Sequence, residues 1–312
     1  MKARLINLKD RVNTHDIMGG IRGEVIFGTG RHFVDYTDPF GKKIQLTKFD
    51  KILYREHNIV PIGGYQYVFD KLFNIGLDQE TTLRVGNLND EAPQMRIGVP
   101  RSEYISTKYN AETNIEGENV VPLGGINISA NNYIFGFMIG DGGAKEDNIN
   151  PIAPDYKNRG LYNPIPFRMS NDGYSFPEGK YFGKTKTSGA TEITSYYIKK
   201  FDSPEPHIVH VWASDSDTEL DIVDDTVFSS TSSIPIESYV EINLSLSDAD
   251  ARGYFTSNGS SPRVNEFGLV SGWYNPTKED YECLTLFTHF CRSSLPMAEG
   301  DSISAVYRLY AR

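Results

Sequence analysis

Tyr239-Val-Glu-Ile-Asn-Leu-Ser-Leu246 is the stretch that sets the reading of this chain. Apolar and polar residues alternate along it, the period of a strand with one face turned to a core. The pattern recurs upstream in Glu192-Ile-Thr-Ser-Tyr-Tyr-Ile-Lys199 and His207-Ile-Val-His-Val-Trp-Ala213. It recurs downstream in Tyr281-Glu-Cys-Leu-Thr-Leu-Phe-Thr-His-Phe290 and Ser302-Ile-Ser-Ala-Val-Tyr-Arg-Leu-Tyr310. Turn-forming clusters separate these runs. Five such strands with irregular joins predict an antiparallel β-sandwich.

Toward the amino terminus the signals are shorter. Gly23-Glu-Val-Ile-Phe-Gly28 reads as a strand and Tyr36-Thr-Asp-Pro-Phe-Gly41 as a turn. Residues 42–59 read as a β-hairpin or small meander. The period then changes. Tyr65, Val68, Phe69, Leu72, Phe73 and Ile75 form an amphipathic helical stripe, which Gly76 is placed to stop. Tyr133–Ile139 is an apolar run suited to a buried strand, and Gly140-Asp-Gly-Gly143 ends it as a turn.

The resulting expectation is a mainly β protein: an antiparallel β-sandwich with long loops and one short amphipathic helix near residues 63–75. Residues 1–20 form an irregular N-terminal arm, and 21–140 a β-rich region carrying the helix. Residues 141–192 form a long loop excursion. This stretch is dominated by Gly, Pro, Asn and Lys and exceeds ordinary connection lengths. It either holds short strands or packs against a neighbouring molecule. Residues 193–312 supply the C-terminal part of the sandwich, compatible with one continuous domain together with 21–140.

Composition excludes several classes. With 31 Lys and Arg against 41 Asp and Glu the net charge is −10, and no basic run exceeds a pair. Such a surface repels phosphate backbones, so no direct nucleic-acid partner is expected. Two cysteines in 312 residues exclude a disulfide scaffold and a Cys-rich zinc module. Residues 119–140 lack charge but contain Pro122, Gly124 and Gly125, so they are rejected as a membrane span. The first ten residues carry charges at positions 2, 4, 9 and 10 and no apolar targeting core.

The search for chemistry returns no catalytic motif. There is no G-x-S-x-G elbow, no phosphate-binding G-x-x-x-x-G-K-[ST] and no G-x-G-x-x-G after a strand. His207 and His210 are three apart, so on a strand they face opposite sides and cannot chelate together. Asp215, Asp217, Glu219 and Asp221 would share one strand face, suited to a hard cation or to a solvated acidic edge. Leu220 and Thr226 stand where a calcium loop needs Gly and Glu. Cys283 and Cys291, placed in a single extended strand, would stand about 26 Å apart at roughly 3.3 Å per residue. They read as buried small hydrophobes. His289 shares their face but lies too far from Cys283 to complete a zinc site. No catalytic, cofactor or metal residue is therefore expected. Tyr196, Tyr197, Trp212, Trp273 and Tyr274 are the aromatics suited to interface or glycan contact.

A resemblance adds to this reading. Val264-Asn-Glu-Phe-Gly-Leu-Val-Ser-Gly272 is followed by Leu284-Thr-Leu-Phe-Thr-His-Phe290, Arg292-Ser-Ser-Leu-Pro296 and Asp301-Ser-Ile-Ser-Ala-Val-Tyr-Arg-Leu-Tyr310. This cadence resembles virion structural proteins of tailed bacteriophages. In them an N-E-x-G-L segment, an L-F-[ST]-[HR] strand and a terminal aromatic-Arg-apolar strand close a β-sandwich. Asn58-Ile-Val60, the helix ending in Lys71-Leu-Phe-Asn74, and Gly140-Asp-Gly-Gly143 with Tyr162-Asn-Pro-Ile-Pro-Phe-Arg168 are similar to the same group. The resemblance implies a non-enzymatic neck, collar, tail or baseplate component. It would assemble in the host cytoplasm into a cyclic homo-oligomer and join other virion proteins. A carbohydrate- or receptor-binding adhesion module, with a host glycan as ligand, is the alternative. Charge alone further suggests a pair between Glu266 and Arg308.

Overall fold

The computed structural model describes residues 21–38, 40–73, 83–86, 95–96, 132–147, 149–173, 179–187, 191–212, 235–247, 249–251, 254, 263–296 and 302–311. The protein is mainly β, with antiparallel strand pairs and one helix among the described residues. It divides into two compact units, each built from separated stretches of chain. The first comprises residues 1–59, 203–244 and 304–312; the second comprises 60–202 and 245–303. This division cuts across the consecutive boundaries read from the sequence, because strands distant in the chain pair within each unit.

In the first unit β1 (Ile21–Thr29) and β4 (Lys51–His57) are antiparallel neighbours, and β2 (His32–Thr37) and β3 (Lys43–Lys48) form a hairpin nested between them in sequence. Asp38 closes the hairpin turn: its Oδ1 accepts the Phe40 and Lys42 N–H groups at 2.9 and 2.8 Å. The sheet runs β12 (His207–Trp212), β13 (Pro235–Ser247), β17 (Ser302–Ala311), β1, β4. Tyr36, Ile44 and Leu46 of the hairpin pack on Val209, Tyr239 and Tyr310 of this sheet, giving two β layers with an apolar seam.

In the second unit α1 (Ile62–Phe73) precedes a two-residue ribbon of β5 (Arg84–Val85) and β6 (Met95–Arg96). The main sheet has the path β10 (Tyr181–Thr187), β11 (Ile193–Lys200), β7 (Tyr133–Gly140), β14 (Arg263–Asn275), β15 (Asp280–Leu286). Three short strands attach to it: β8 (Pro164–Ile165) on β7, β9 (Arg168–Met169) on β11 and β16 (Phe290–Pro296) on β14. The stretch read as a loop excursion, 141–192, thus carries β8, β9 and β10. Their apolar alternation is too short to register as a period.

The expected strand 281–290 is two strands. Both β15 and β16 pair with β14, which at 13 residues is long enough for the two in succession. Between them the ladder is interrupted where the Thr288 hydroxyl, in place of a carbonyl, accepts the Leu269 N–H at 3.2 Å. Residues 292–296 continue β16.

The core of this unit gathers Leu83, Val85, Phe135, Met138, Leu161, Phe182, Ile198, Val270, Tyr281, Leu284 and Leu286. Phe135 stacks on Tyr281 with ring centroids 3.4 Å apart. The helix begins one residue before the expected span and is described to Phe73; Ile75 and Gly76 lie outside the described residues. It seats against the end of β15, with Tyr67 edge-on to Phe287 at 5.5 Å. No described helix is long and apolar enough to cross a membrane.

Gly64 permits this docking. A Cβ there would overlap the Phe287 carbonyl oxygen, a backbone atom that cannot move aside. Ala at this position gains roughly 1 kcal/mol of helix propensity. Overpacking against backbone costs about 1–3 kcal/mol. Gly64→Ala is therefore expected to be net destabilising in urea unfolding, opposite in sign to the propensity effect.

Candidate functional site

The antiparallel register places Glu266 of β14 directly opposite Cys291 of β16. Directly opposed side chains share a sheet face, and so does the residue two positions away on the partner strand. That residue is His289, immediately before β16. Cross-strand pairing therefore brings a carboxylate, a thiol and an imidazole onto one face, all buried. His289 Nε2 lies 3.5 Å from Cys291 Sγ and 3.7 Å from Glu266 Oε1. The three donor atoms lie within 4.8 Å of one another.

The surroundings hold these groups in place. Asn158 Nδ2 donates to His289 Nδ1 at 2.9 Å, and the Tyr162 ring covers the imidazole with centroids 5.2 Å apart. Glu266 accepts the Tyr162 N–H on Oε1 at 2.9 Å and the Asn163 N–H on Oε2 at 3.2 Å. Its neighbour Asn265 accepts the Gly143 N–H at 2.6 Å and donates to the Asp141 carbonyl at 3.0 Å.

Gly140 is paired with Glu266 across the other edge of β14. A Cβ on Gly140 would collide with the Glu266 carboxylate and with the Asn163 carbonyl, the latter at 2.7 Å; one on Gly143 would meet Glu266 Cγ at 2.5 Å. The Gly140-Asp-Gly-Gly143 turn is glycine-rich because the carboxylate and its tethered loop occupy the space beside it.

Charge follows from burial. Burial, reinforced by the Glu266 carboxylate, pushes the Cys291 thiol well above its ordinary value. Burial likewise raises Asp141; the Asn163 amide opposes the rise and the Glu266 charge adds to it.

Two further buried ion pairs lie in this unit. Lys199 Nζ donates to Asp250 Oδ2 at 2.8 Å and to the Ser245 carbonyl at 2.6 Å, and Tyr181 donates to Asp250 Oδ1 at 2.6 Å. Arg168 holds Asp172 at 2.6 Å.

The residues singled out from the sequence fall as follows. Tyr196 and Tyr197 are adjacent on β11 and so face opposite sides; Tyr197 packs against the core. Trp273 is 3% exposed and belongs to the interior, which corrects its assignment as a contact residue. Its place in a strand buried on both faces is the reason. Tyr274 is half-exposed beside Phe182 and Tyr281. Trp212 lies on β12 of the first unit, its side chain outside the described residues. The five aromatics therefore do not form one exposed platform.

His207 and His210 make separate contacts, His207 Nδ1 with the Glu205 carbonyl and His210 Nδ1 with Ser238 Oγ. Asp215, Asp217, Glu219 and Asp221 lie outside the described residues, as does the arm 1–20. Glu266 and Arg308 do not pair: β14 and β17 belong to different sheets, and Arg308 reaches Glu241 at 3.4 Å.

Sequence reasoning missed Glu266, His289 and Cys291 as a group because it placed 281–290 in one continuous strand. The signal present was the H-x-C spacing of His289 and Cys291, which puts both on one strand face. The partner strand carrying Glu266 has no mark in the linear pattern.

The chain matches no family model, no curated protein and no solved structure.

The Lys199–Asp250 pair gives a pH test. Burial alone would raise the Asp250 carboxyl; the Lys199 ammonium and the hydrogen bonds from Tyr181 and the Ser247 N–H outweigh it and hold the pKa below the usual carboxylate value. A lowered folded pKa gives stability that is complete above the unfolded value, about 3.9 for Asp, and is lost as pH falls through the folded one. Asp250→Asn is expected to lower stability at neutral pH. It should also remove part of the loss below about pH 4 expected for the unmodified chain. Urea unfolding across pH measures both, and an unchanged acid limb would exclude the pair as its source.

Proposed function

We infer that this protein is a non-enzymatic structural component of a tailed-bacteriophage virion, in the neck, collar, tail or baseplate. It acts by symmetric assembly with copies of itself and with other virion proteins. The observation that carries the reading is where the resembling residues lie. Val264–Gly272, Leu284–Phe290, Arg292–Pro296 and the terminal strand are framework, mostly interior, whereas large apolar side chains are left at the surface. Ile149 is 71% exposed, and Leu53, 53% exposed, sits on β4 at the end of its sheet. A strand at a sheet end with an apolar side chain outward is a ready pairing surface for another chain. Exposed apolar groups on a well-packed frame suit a subunit whose surface is completed by neighbours.

Quantitative mass spectrometry of purified particles tests this. A fixed copy number per particle, in a multiple set by cyclic symmetry, is the expected result. Absence from the particles overturns the reading. In solution, Leu53→Asp and Ile149→Asp are each expected to weaken self-association in sedimentation velocity while leaving the unfolding free energy within about 0.5 kcal/mol of the parent.

A further inference from the structure

The geometry points to a zinc site formed by Glu266, His289 and Cys291, which ties β14 to β16 in the second unit. The donor set is one carboxylate oxygen, one imidazole nitrogen and one thiolate sulfur, each an established zinc ligand. Sulfur selects a borderline or soft metal over calcium or magnesium. With zinc–nitrogen near 2.0–2.1 Å and zinc–sulfur near 2.3 Å, a tetrahedral ion spaces N and S by about 3.6 Å. The observed Nε2–Sγ separation is 3.5 Å and the Nε2–Oε1 separation 3.7 Å. The imidazole nitrogen thus stands near tetrahedral-edge spacing from both partners, and the carboxylate–thiol edge lies within 4.8 Å.

Charge supports the assignment. Glu266 is fully buried, and among the described residues its cationic partner is His289, charged only if protonated. A zinc ion with one carboxylate and one thiolate is neutral as a unit. Two backbone N–H groups hydrogen-bond the buried carboxylate but do not balance its charge, which a divalent cation would. Binding proceeds with loss of the Cys291 S–H proton to solvent. The imidazole proton shifts from Nε2 to Nδ1, so that Nε2 offers its lone pair. The Asn158 amide, now 2.9 Å from Nδ1, then turns its oxygen to accept Nδ1–H, the outer-shell partner that metal-bound histidines use. Water fills the fourth position. All three ligands are buried, so the ion ties the two strands together as a staple.

The full chain, purified without chelator, is assayed for bound metals, then stripped and titrated with Co²⁺. One zinc per chain is expected, with a thiolate-to-cobalt charge-transfer band on titration and a rise in the melting temperature on adding Zn²⁺. Cys291→Ser, close in shape, should abolish the charge-transfer band and the zinc stoichiometry. Cys283→Ser, which removes the other buried thiol, should retain both. Should either variant fail to fold, the stripped unmodified chain still decides: no charge-transfer band and no zinc-dependent melting shift overturn the site. So does stoichiometric iron or copper in place of zinc. These readouts are independent of whether the protein is found in particles.

Discussion

Strand β14 is paired along both edges and buried on both faces, and the second unit is organised around satisfying it. It lies between β7 on one side and β15 and β16 on the other. Its interior carries Asn265, Glu266, Ser271 and Asn275 among apolar neighbours. A buried polar group without a partner costs about 1–3 kcal/mol, more than a made hydrogen bond contributes. Asn265 and Glu266 have no solvent to turn to, so they draw partners from the chain between β7 and β8. Gly143, Tyr162 and Asn163 donate their N–H groups to them, and the Asp141 carbonyl accepts from Asn265. A glycine-rich, irregular stretch acquires a fixed path because its backbone completes the side chains of a distant strand.

The first unit uses the same device on different residues. Glu241, fully buried on β13, accepts the Thr47 N–H at 2.8 Å and pairs with Arg308 of β17. Asn243, on the same face of that strand, accepts the Thr47 hydroxyl at 2.9 Å. Arg308 also lies over the Tyr239 ring at 4.6 Å, so its charge is met by a carboxylate and an aromatic face together. Glu24 on β1 is held by Arg55 at 2.7 Å and by Tyr310 at 3.1 Å. In each case an acid on an interior strand fixes a neighbouring element by hydrogen bonds that apolar packing alone would not direct.

Strands that alternate were legible in the sequence, and so was the apolar run Tyr133–Ile139 that became β7; the boundaries of strands apolar on both faces were not. The runs now seen as β11, β12, β13 and β17 alternate, and the helical stripe predicted α1 to within a residue at its start. The breaks between β15 and β16 and the extent of β14 left no such trace. A strand apolar on both faces has no period of two, and the interruption at Thr288 depends on a side-chain hydroxyl bonding across to Leu269. The two-residue strands β8 and β9 exist only through their partners. The buried cluster was hidden for the same reason. Its three donors come from two strands, and only the pairing of Glu266 with Cys291 makes them neighbours.

That loss of period explains why polar residues sit in the interior at all. Where one face of a strand is solvated, a slip of one residue turns its apolar set outward, and this fixes the register. For β14 a slip would exchange one apolar face for another: Phe267 and Leu269 on one side, Val264 and Val270 on the other. Packing alone discriminates weakly between those states. Glu266 discriminates strongly, since a slip moves it from Gly140 and Cys291 toward the positions of Ile139 and Phe290, where its carboxylate would be buried without donors. A carboxylate stranded in that way costs several kcal/mol. The glycines and the acid are thus one specification, a space on β7 and a charge on β14 that fit in a single register. That register is also the one that brings His289 and Cys291 to the carboxylate.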